Sequence, residues 1–250
     1  MKLAIIISTY DRKDKCSVRI LKNMFEMLKK QQYKKFKIFI IGDDFRRKNV
    51  FNKLCSQWNG EIYYENLPTS YRKGYFKKRK NLWTCGGQNA KYYGIKKAME
   101  EGYEYYIHLD DDDYWNPKHV WEIVNTIERF PEVDFIASKA KYTNFILPRE
   151  HKKIKVKKYN NWKPRPCNIV HSTWCTNLKT LGKETLDIFE KRVKTVEKVK
   201  NKKIKEPLFD PLDMILLNRY QQLQKDGKIK CILIPRITCR KRTDTNIPKV

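Results

Sequence analysis

Apolar residues recur along this chain with two alternating periods, and the alternation predicts its elements. Short apolar runs at 2–8, 37–41, 61–64, 103–109 and 133–138 have the length and side-chain types of buried strands. Between the first two, Cys16, Ile20, Met24, Met27 and Leu28 recur at helical spacing. Leu54 and Trp58 mark a shorter helical segment, and Ala90, Tyr93, Gly94 and Ala98 mark another. Val120, Ile123, Val124 and Ile127 define a helix entered through Asn116-Pro117, where proline suits the first turn. Strand, helix, strand, helix predicts an α/β fold: a mostly parallel, Rossmann-like sheet flanked by helices, with ligands at the carboxyl ends of its strands.

After residue 138 the alternation weakens. The stretch 152–158 alternates lysine with Ile154 and Val156, the pattern of an exposed edge strand whose lysines discourage further pairing. Leu186, Phe189, Val193 and Val196 trace one face of a strongly basic helix, whose lysines read as its solvated face. Asp210-Pro211 opens a helix carrying Leu212, Ile215, Leu216 and Leu223, with Asp210 as N-cap and a stop near Gly227. A last strand covers 229–234. No repeat or low-complexity linker interrupts the pattern, so a single domain over 1–250 is expected, with a more variable second half.

Composition narrows this picture without redirecting it. At 250 residues and 40% apolar content the chain can bury a substantial core. No run approaches the roughly 20 apolar residues that span a bilayer. The apolar opening is too short for a signal peptide, and Asp11-Arg12-Lys13-Asp14 follows it with no small-residue cleavage site. The seven cysteines are odd in number and contain no C-x-x-C pair, which speaks against a disulfide framework or zinc knuckle and for a reducing, cytoplasmic compartment. The formal charge of +27 comes from 41 lysines and 14 arginines. Such a surface attracts nucleic acid, acidic lipid or an anionic substrate. Without an arginine-rich patch or a binding motif, it selects none of them. The loop 70–80, which mixes bases with aromatics, reads as a solvated segment anchored by its aromatics or, alternatively, as a contact for phosphate or a polyanion.

Against that charge stand four consecutive aspartates, Asp110 to Asp113, directly after the apolar run 105–109. Adjacent carboxylates repel, so a fold tolerates them only with a cation among them. Mg²⁺ and Mn²⁺ take one or two carboxylates together with phosphate oxygens and water. The first strand ends in Ser8-Thr9-Tyr10-Asp11-Arg12 and the second in Gly42-Asp43-Asp44. Three parallel strand ends of this kind would converge on one crevice.

The ordered set Leu3-Ala4-Ile5-Ile6-Ile7-Ser8-Thr9-Tyr10-Asp11-Arg12, Phe39-Ile40-Ile41-Gly42-Asp43-Asp44, Gly94-Ile95 and Ile107-His108-Leu109-Asp110-Asp111-Asp112-Asp113 resembles a family 2 glycosyltransferase over roughly residues 1–135. The resemblance implies an inverting enzyme with the A-type glycosyltransferase fold, a nucleotide-sugar donor and an Asp-x-Asp metal motif. It implies that Thr9 and Tyr10 line the nucleoside pocket and that Asp43 or Asp44 accepts a hydrogen bond from the base. Asp110 would face ribose and metal, Asp112 would ligate Mn²⁺ or Mg²⁺ directly, Asp111 would be the spacer in the donor site, and Asp113 would close the turn before the helix. Two positions depart from the family. Ser8 replaces a proline, and Ala90-Lys91-Tyr92-Tyr93-Gly94 stands where Ala-Arg-Asn-x-Gly is usual, leaving Lys91 as a point charge for phosphate without arginine's fork. The catalytic base of the family lies on a Glu-Asp pair opening a later helix. Leu212-Asp213, followed by Leu216 and Arg219, matches it except for the missing glutamate, and implies Asp213 as base.

The histidines read as poor catalytic candidates. His108 belongs inside a strand, His119 and His151 at the surface, and His171 on the acceptor side beside Trp174, itself best explained as a core residue. Arg240 and Arg242 would fold over the diphosphate or remain a basic tail.

These readings predict transfer of a sugar from a nucleoside diphosphate-sugar, by preference a UDP-sugar, to a sugar, lipid-linked or protein hydroxyl, in glycan synthesis. Residues 1–138 would form the nucleotide-sugar half and 139–250 the acceptor half with a basic tail, with peripheral contact to an anionic membrane compatible with the charge. The alternatives are a sugar nucleotidyltransferase, whose usual glycine-rich, lysine-bearing loop is missing, and a basic nucleic-acid-binding protein, against which the aspartate run argues.

Overall fold

The computed structural model describes residues 1–12, 15–68, 87–142, 145–148, 162–165, 169–198 and 211–241. Its centre is a nine-stranded sheet. The strands are β1 (Leu3–Thr9), β2 (Lys37–Asp43), β3 (Ile62–Leu67), β4 (Tyr105–Asp110), β5 (Tyr114–Trp115), β6 (Phe135–Tyr142), β7 (Phe145–Leu147), β8 (Trp174–Asn177) and β9 (Cys231–Lys241). They lie in the order β3-β2-β1-β4-β8-β6-β9-β5, with β7 paired to β6. The helices are α1 (Ser17–Lys29), α2 (Lys48–Ser56), α3 (Gln88–Glu100), α4 (His119–Arg129), α5 (Leu178–Lys198) and α6 (Leu212–Lys225).

The first half is the parallel, doubly wound unit that the alternation predicts. β3, β2, β1 and β4 pair in parallel, with Ile5 opposite Ile38 on one side and Ile107 on the other. Period-two patterning sends alternate residues of β1 to opposite cores. Leu3, Ile5 and Ile7 pack with α1, α2 and α4, whereas Ala4 and Ile6 pack with α3, α5 and α6. Ile5, Ile6 and Ile7 are fully buried, and each contributes about 1.5–3 kcal/mol of transfer free energy on that account.

The second half is mixed. β8 enters antiparallel between β4 and β6, and β9 runs parallel to β6. β9 is much longer than the strand expected at 229–234. The register against β6 shifts around Ser138 and Lys139, and β9 has three exposed residues, Pro235 to Ile237, at that point. Proline and an irregularity interrupt the alternation there. Beyond it the strand resumes and carries Cys239 and Lys241 back toward β5. The segments 70–80 and 152–158, together with Asp210, His151 and Arg242, lie outside the described residues, and Pro211 stands at the N-cap position of α6 without a side-chain cap hydrogen bond.

α3 lies close against the sheet because Gly94 has no side chain. A Cβ there would stand 2.9 Å from Ile6 Cγ2 and 3.3 Å from Ile41 Cγ1. Gly94→Val is therefore expected to lower stability by about 1–3 kcal/mol through overpacking, despite valine's better helix propensity. Urea unfolding would measure it, and an unchanged midpoint would contradict this packing.

Candidate active site

The four aspartates form a tight turn at the carboxyl end of β4, closed by the Asp113 N–H donating to the Asp110 carbonyl at 3.0 Å. Each carboxylate has a different environment. Asp111 is directed into the protein, 5% exposed. The Thr9 hydroxyl donates to its Oδ2 at 2.6 Å, and Arg12 forks onto both oxygens at 2.9 and 2.7 Å. The guanidinium lies 4.5 Å from the Tyr10 ring centre. Burial works against the Arg12 charge, but Asp111 holds it firmly protonated, with its pKa raised. The first strand's end thus clamps the spacer residue of the run, a bidentate geometry lysine cannot supply.

Asp110 is partly exposed and meets two ammonium groups, Lys91 at 3.2 Å on Oδ1 and Lys241 at 3.1 Å on Oδ2. Burial alone would raise its carboxyl, but Lys91, Lys241 and His108 hold it well below the usual carboxylate range. Asp113 is buried, accepts the Ser172 hydroxyl at 2.6 Å and lies 3.4 Å from Lys241. Burial moves its carboxyl up to about 7, against the pull of Lys241. Asp112 is the most open, 40% exposed, with Arg12 3.4 Å away. Burial and its neighbours Asp111 and Asp110 push its carboxyl upward. Of the four, Asp112 is the carboxylate most open to a further ligand.

Two histidines complete the floor. His108 Nε2 lies 2.9 Å from Asp110 Oδ1, and its ring stacks on His171 at 4.0 Å. Burial lowers the His108 pKa to about 4 and depresses His171 as well, so both are neutral near pH 7. Neutral His108 donates its Nε2–H to the Asp110 carboxylate, and His171 Nδ1, 3.2 Å from the Lys91 ammonium, accepts. His108, Asp110 and His171 offer ligand atoms within 4.8 Å of one another. His108, expected inside a strand, and His171, expected on the acceptor side, thus stand together beside Asp110. His119 differs from expectation. It is fully buried, stacked on Trp115 at 4.3 Å and bonded through Nδ1 to Thr238 at 2.7 Å. The pairing of β5 with β9 encloses it. Trp174 is a core residue, 1% exposed.

Asp43 and Asp44 occupy the neighbouring strand end. Asp43 is buried and accepts the Gly87 N–H at 3.3 Å, linking β2 to the start of α3. Asp44 has a left-handed backbone, φ 54°. Asn66 pins that loop, accepting from Phe45 N–H at 2.7 Å and donating to the Phe45 carbonyl at 2.9 Å. Asp213, in the first turn of α6, is within electrostatic reach of Lys91 and Asp110. Burial raises its carboxyl while Lys91 lowers it. Arg219 turns away to α5, its Nε 2.6 Å from Glu184. Arg240 is exposed on β9 opposite Tyr114, and the neighbouring Lys241 makes the acidic contact instead.

Sequence reasoning missed Arg12, Ser172, the histidine pair and Lys241. Arg12 carried a local signal, because it follows the Thr-Tyr strand end. Ser172 and Lys241 reach the turn only through the mixed half of the sheet.

An acidic turn ringed by fixed cations at parallel strand ends suits an enzyme that handles an anionic ligand. The model of the family described as glycosyl transferase family 2 matches residues 4–181. An uncharacterized glycosyltransferase of Acanthamoeba polyphaga mimivirus is 32% identical over 248 residues, covering 96% of this chain and 93% of that protein. The chain belongs to glycosyl transferase family 2. Among solved structures, residues 1–349 of S. aureus TarS in complex with UDP-GlcNAc superpose with a TM-score of 0.60 at 15% identity, over 100% of this chain and 62% of that one. Mannosyltransferase PcManGT from Pyrobaculum calidifontis, in complex with GDP-Man and Mn²⁺, gives 0.60 at 9% identity, over 98% and 58%. At such identities the likeness is one of fold, the A-type glycosyltransferase fold, and the chain spans about three fifths of those solved chains.

Arg12→Met would leave the Asp111 charge buried without its partner, which typically costs about 3–5 kcal/mol. The double variant Arg12→Met/Asp111→Asn is expected to recover much of that loss in urea unfolding. A double variant as unstable as the sum of the single ones would contradict the pairing.

Proposed function

We propose that this protein transfers a sugar from a nucleoside diphosphate-sugar, by preference a UDP-sugar, to an acceptor hydroxyl with inversion, and that a divalent cation assists. The observation that supports the reading is the acidic turn at the carboxyl end of β4, where Lys91 and Lys241 meet Asp110 and where Asp213 is within electrostatic reach of Lys91 and Asp110. In this reading Thr9, Tyr10, Asp43 and Asp44 surround the nucleoside, with Asp43 or Asp44 accepting from the base. Asp111, clamped by Arg12 and Thr9, sets the angle of the turn between them.

The residues fit a hard cation. Asp110 and Asp112 supply carboxylate oxygens, and Asp112 is open. These oxygens would hold Mn²⁺ or Mg²⁺. The cation would neutralise charge on the diphosphate leaving group. Lys91 adds a positive charge on the same side.

Asp213 takes the proton. Burial raises its carboxyl and Lys91 lowers it, and a carboxylate whose proton affinity is increased by burial suits a general base. As the acceptor oxygen attacks the anomeric carbon, its proton passes to Asp213, the bond to the diphosphate breaks from the opposite face, and the configuration inverts. Residues 1–138 hold most of the donor in this account, and the acceptor falls to 139–250, with α5 and α6. No helix among the described residues is long and apolar enough to cross a membrane. The basic surface suits a cytoplasmic enzyme working at an anionic membrane face, where a sugar, lipid-linked or protein acceptor would be met.

Asp213→Asn is expected to lower kcat about 10²–10⁴-fold with donor affinity kept. Asp112→Asn is expected to abolish cation-dependent transfer with the fold intact. Nucleoside diphosphate release from a panel of nucleotide-sugars, read in Mn²⁺ and in chelator, measures both. Wild-type turnover in either variant would remove that residue from its role.

A further inference from the structure

The acidic run has a resident positive charge that reaches it from the far end of the sheet. Lys241 ends the described part of β9, and its ammonium lies between Asp110 Oδ2, at 3.1 Å, and Asp113 Oδ2, at 3.4 Å. Lys91 takes the other oxygen of Asp110. Both oxygens of this carboxylate are therefore engaged by ammonium groups. Lys241 itself is 29% exposed, at the mouth of the site. A divalent cation on Asp110 and the Lys241 ammonium on the same oxygen would be like charges at contact distance.

The charge count points the same way. Among the described residues Arg12, Lys91 and Lys241 contact the run, three positive charges against four carboxylates. Adding a divalent cation reverses the balance to a net positive charge, which an anion would offset. Asp113 is fixed by the Ser172 hydroxyl, so it can keep one hold on Lys241 while the other is released. Lysine suits such an exchange, as a point charge with three donors on a flexible four-carbon stem.

We propose that Lys241 competes with the divalent cation for Asp110 and, once displaced, binds the diphosphate of the donor. The inference rests on the function proposed above. It makes cation and nucleotide binding mutually dependent: the cation frees the lysine that the diphosphate needs, and the diphosphate holds the lysine off the cation's carboxylate. Linkage requires the coupling to be equal in both directions.

Two binding measurements test this without turnover. Mn²⁺ titrations followed by electron paramagnetic resonance give the cation affinity with and without UDP. Calorimetry at saturating Mn²⁺ gives the UDP affinity. In the wild-type protein UDP is expected to tighten Mn²⁺ binding. Lys241→Met is expected to bind Mn²⁺ alone about tenfold more tightly and UDP about tenfold more weakly, a change of about 1.4 kcal/mol in each. Lys241→Arg, which keeps the charge, is expected to stay near the wild type in both. A wild-type protein whose Mn²⁺ affinity is indifferent to bound UDP overturns the inference without any variant. So does a folded Lys241→Met protein whose Mn²⁺ affinity is unchanged or weaker, or whose UDP affinity is unchanged. A wild-type protein that binds neither UDP nor GDP in saturating Mn²⁺ contradicts the proposed function as well.

Discussion

Four carboxylates on consecutive residues at the end of a buried strand are the constraint around which this site is arranged. Their mutual repulsion in a partly desolvated turn would cost several kcal/mol if each were left alone. The fold answers with cations from three different elements: Arg12 after β1, Lys91 on α3 and Lys241 on β9. None is a local neighbour in sequence, so the turn holds its shape only when the sheet is assembled. Charge neutralisation and topology are the same requirement here.

The arrangement divides the aspartates by role. Asp111 is held inward, clamped by Thr9 and a bidentate guanidinium. Asp113 is buried against Ser172 and closes the turn. Asp110 and Asp112 remain partly open, and the proposed chemistry belongs to them. The neutral, stacked pair His108 and His171 supports Asp110 from below, an environment that fixes the direction of its carboxylate. The result is a site in which two open carboxylates are supported by two closed ones.

Much of this was legible in the sequence, for a physical reason. In the parallel half each strand and helix buries one face against its neighbour, so period and burial coincide, and Ile5, Ile38 and Ile107 stand in register as their apolar runs suggest. The strand ends follow directly, and with them Thr9, Asp43 and the aspartate run. The mixed half was less readable. β5 has two residues and β8 four, too short to show a period. The exposed stretch from Pro235 to Ile237 interrupts the pattern of β9 just before the residues that reach the site. Ser172 lies in a single 3₁₀ turn, and its two bonds to the acidic turn, from Asp110 N–H and to Asp113, cross about sixty residues of chain. His119 follows Asn116-Pro117, which reads as a solvated helix entrance, but the β5–β9 pairing encloses it beside Trp115. These residues are placed by tertiary pairing, which a single sequence does not display.

The central claim is that the cation-ringed aspartate turn is a cation-dependent site for a sugar nucleotide. Thermal unfolding in a panel of nucleotides and nucleotide-sugars, with Mn²⁺ and with chelator, tests it most directly, because a ligand that binds only the folded state raises the transition temperature by an amount that grows with the logarithm of its concentration above Kd. The account predicts that a nucleoside diphosphate or its sugar conjugate, UDP-linked by preference, raises the transition temperature in Mn²⁺ and does so far less in chelator. Equal shifts with every phosphate-bearing compound, indifferent to Mn²⁺, would show a merely basic surface and contradict it.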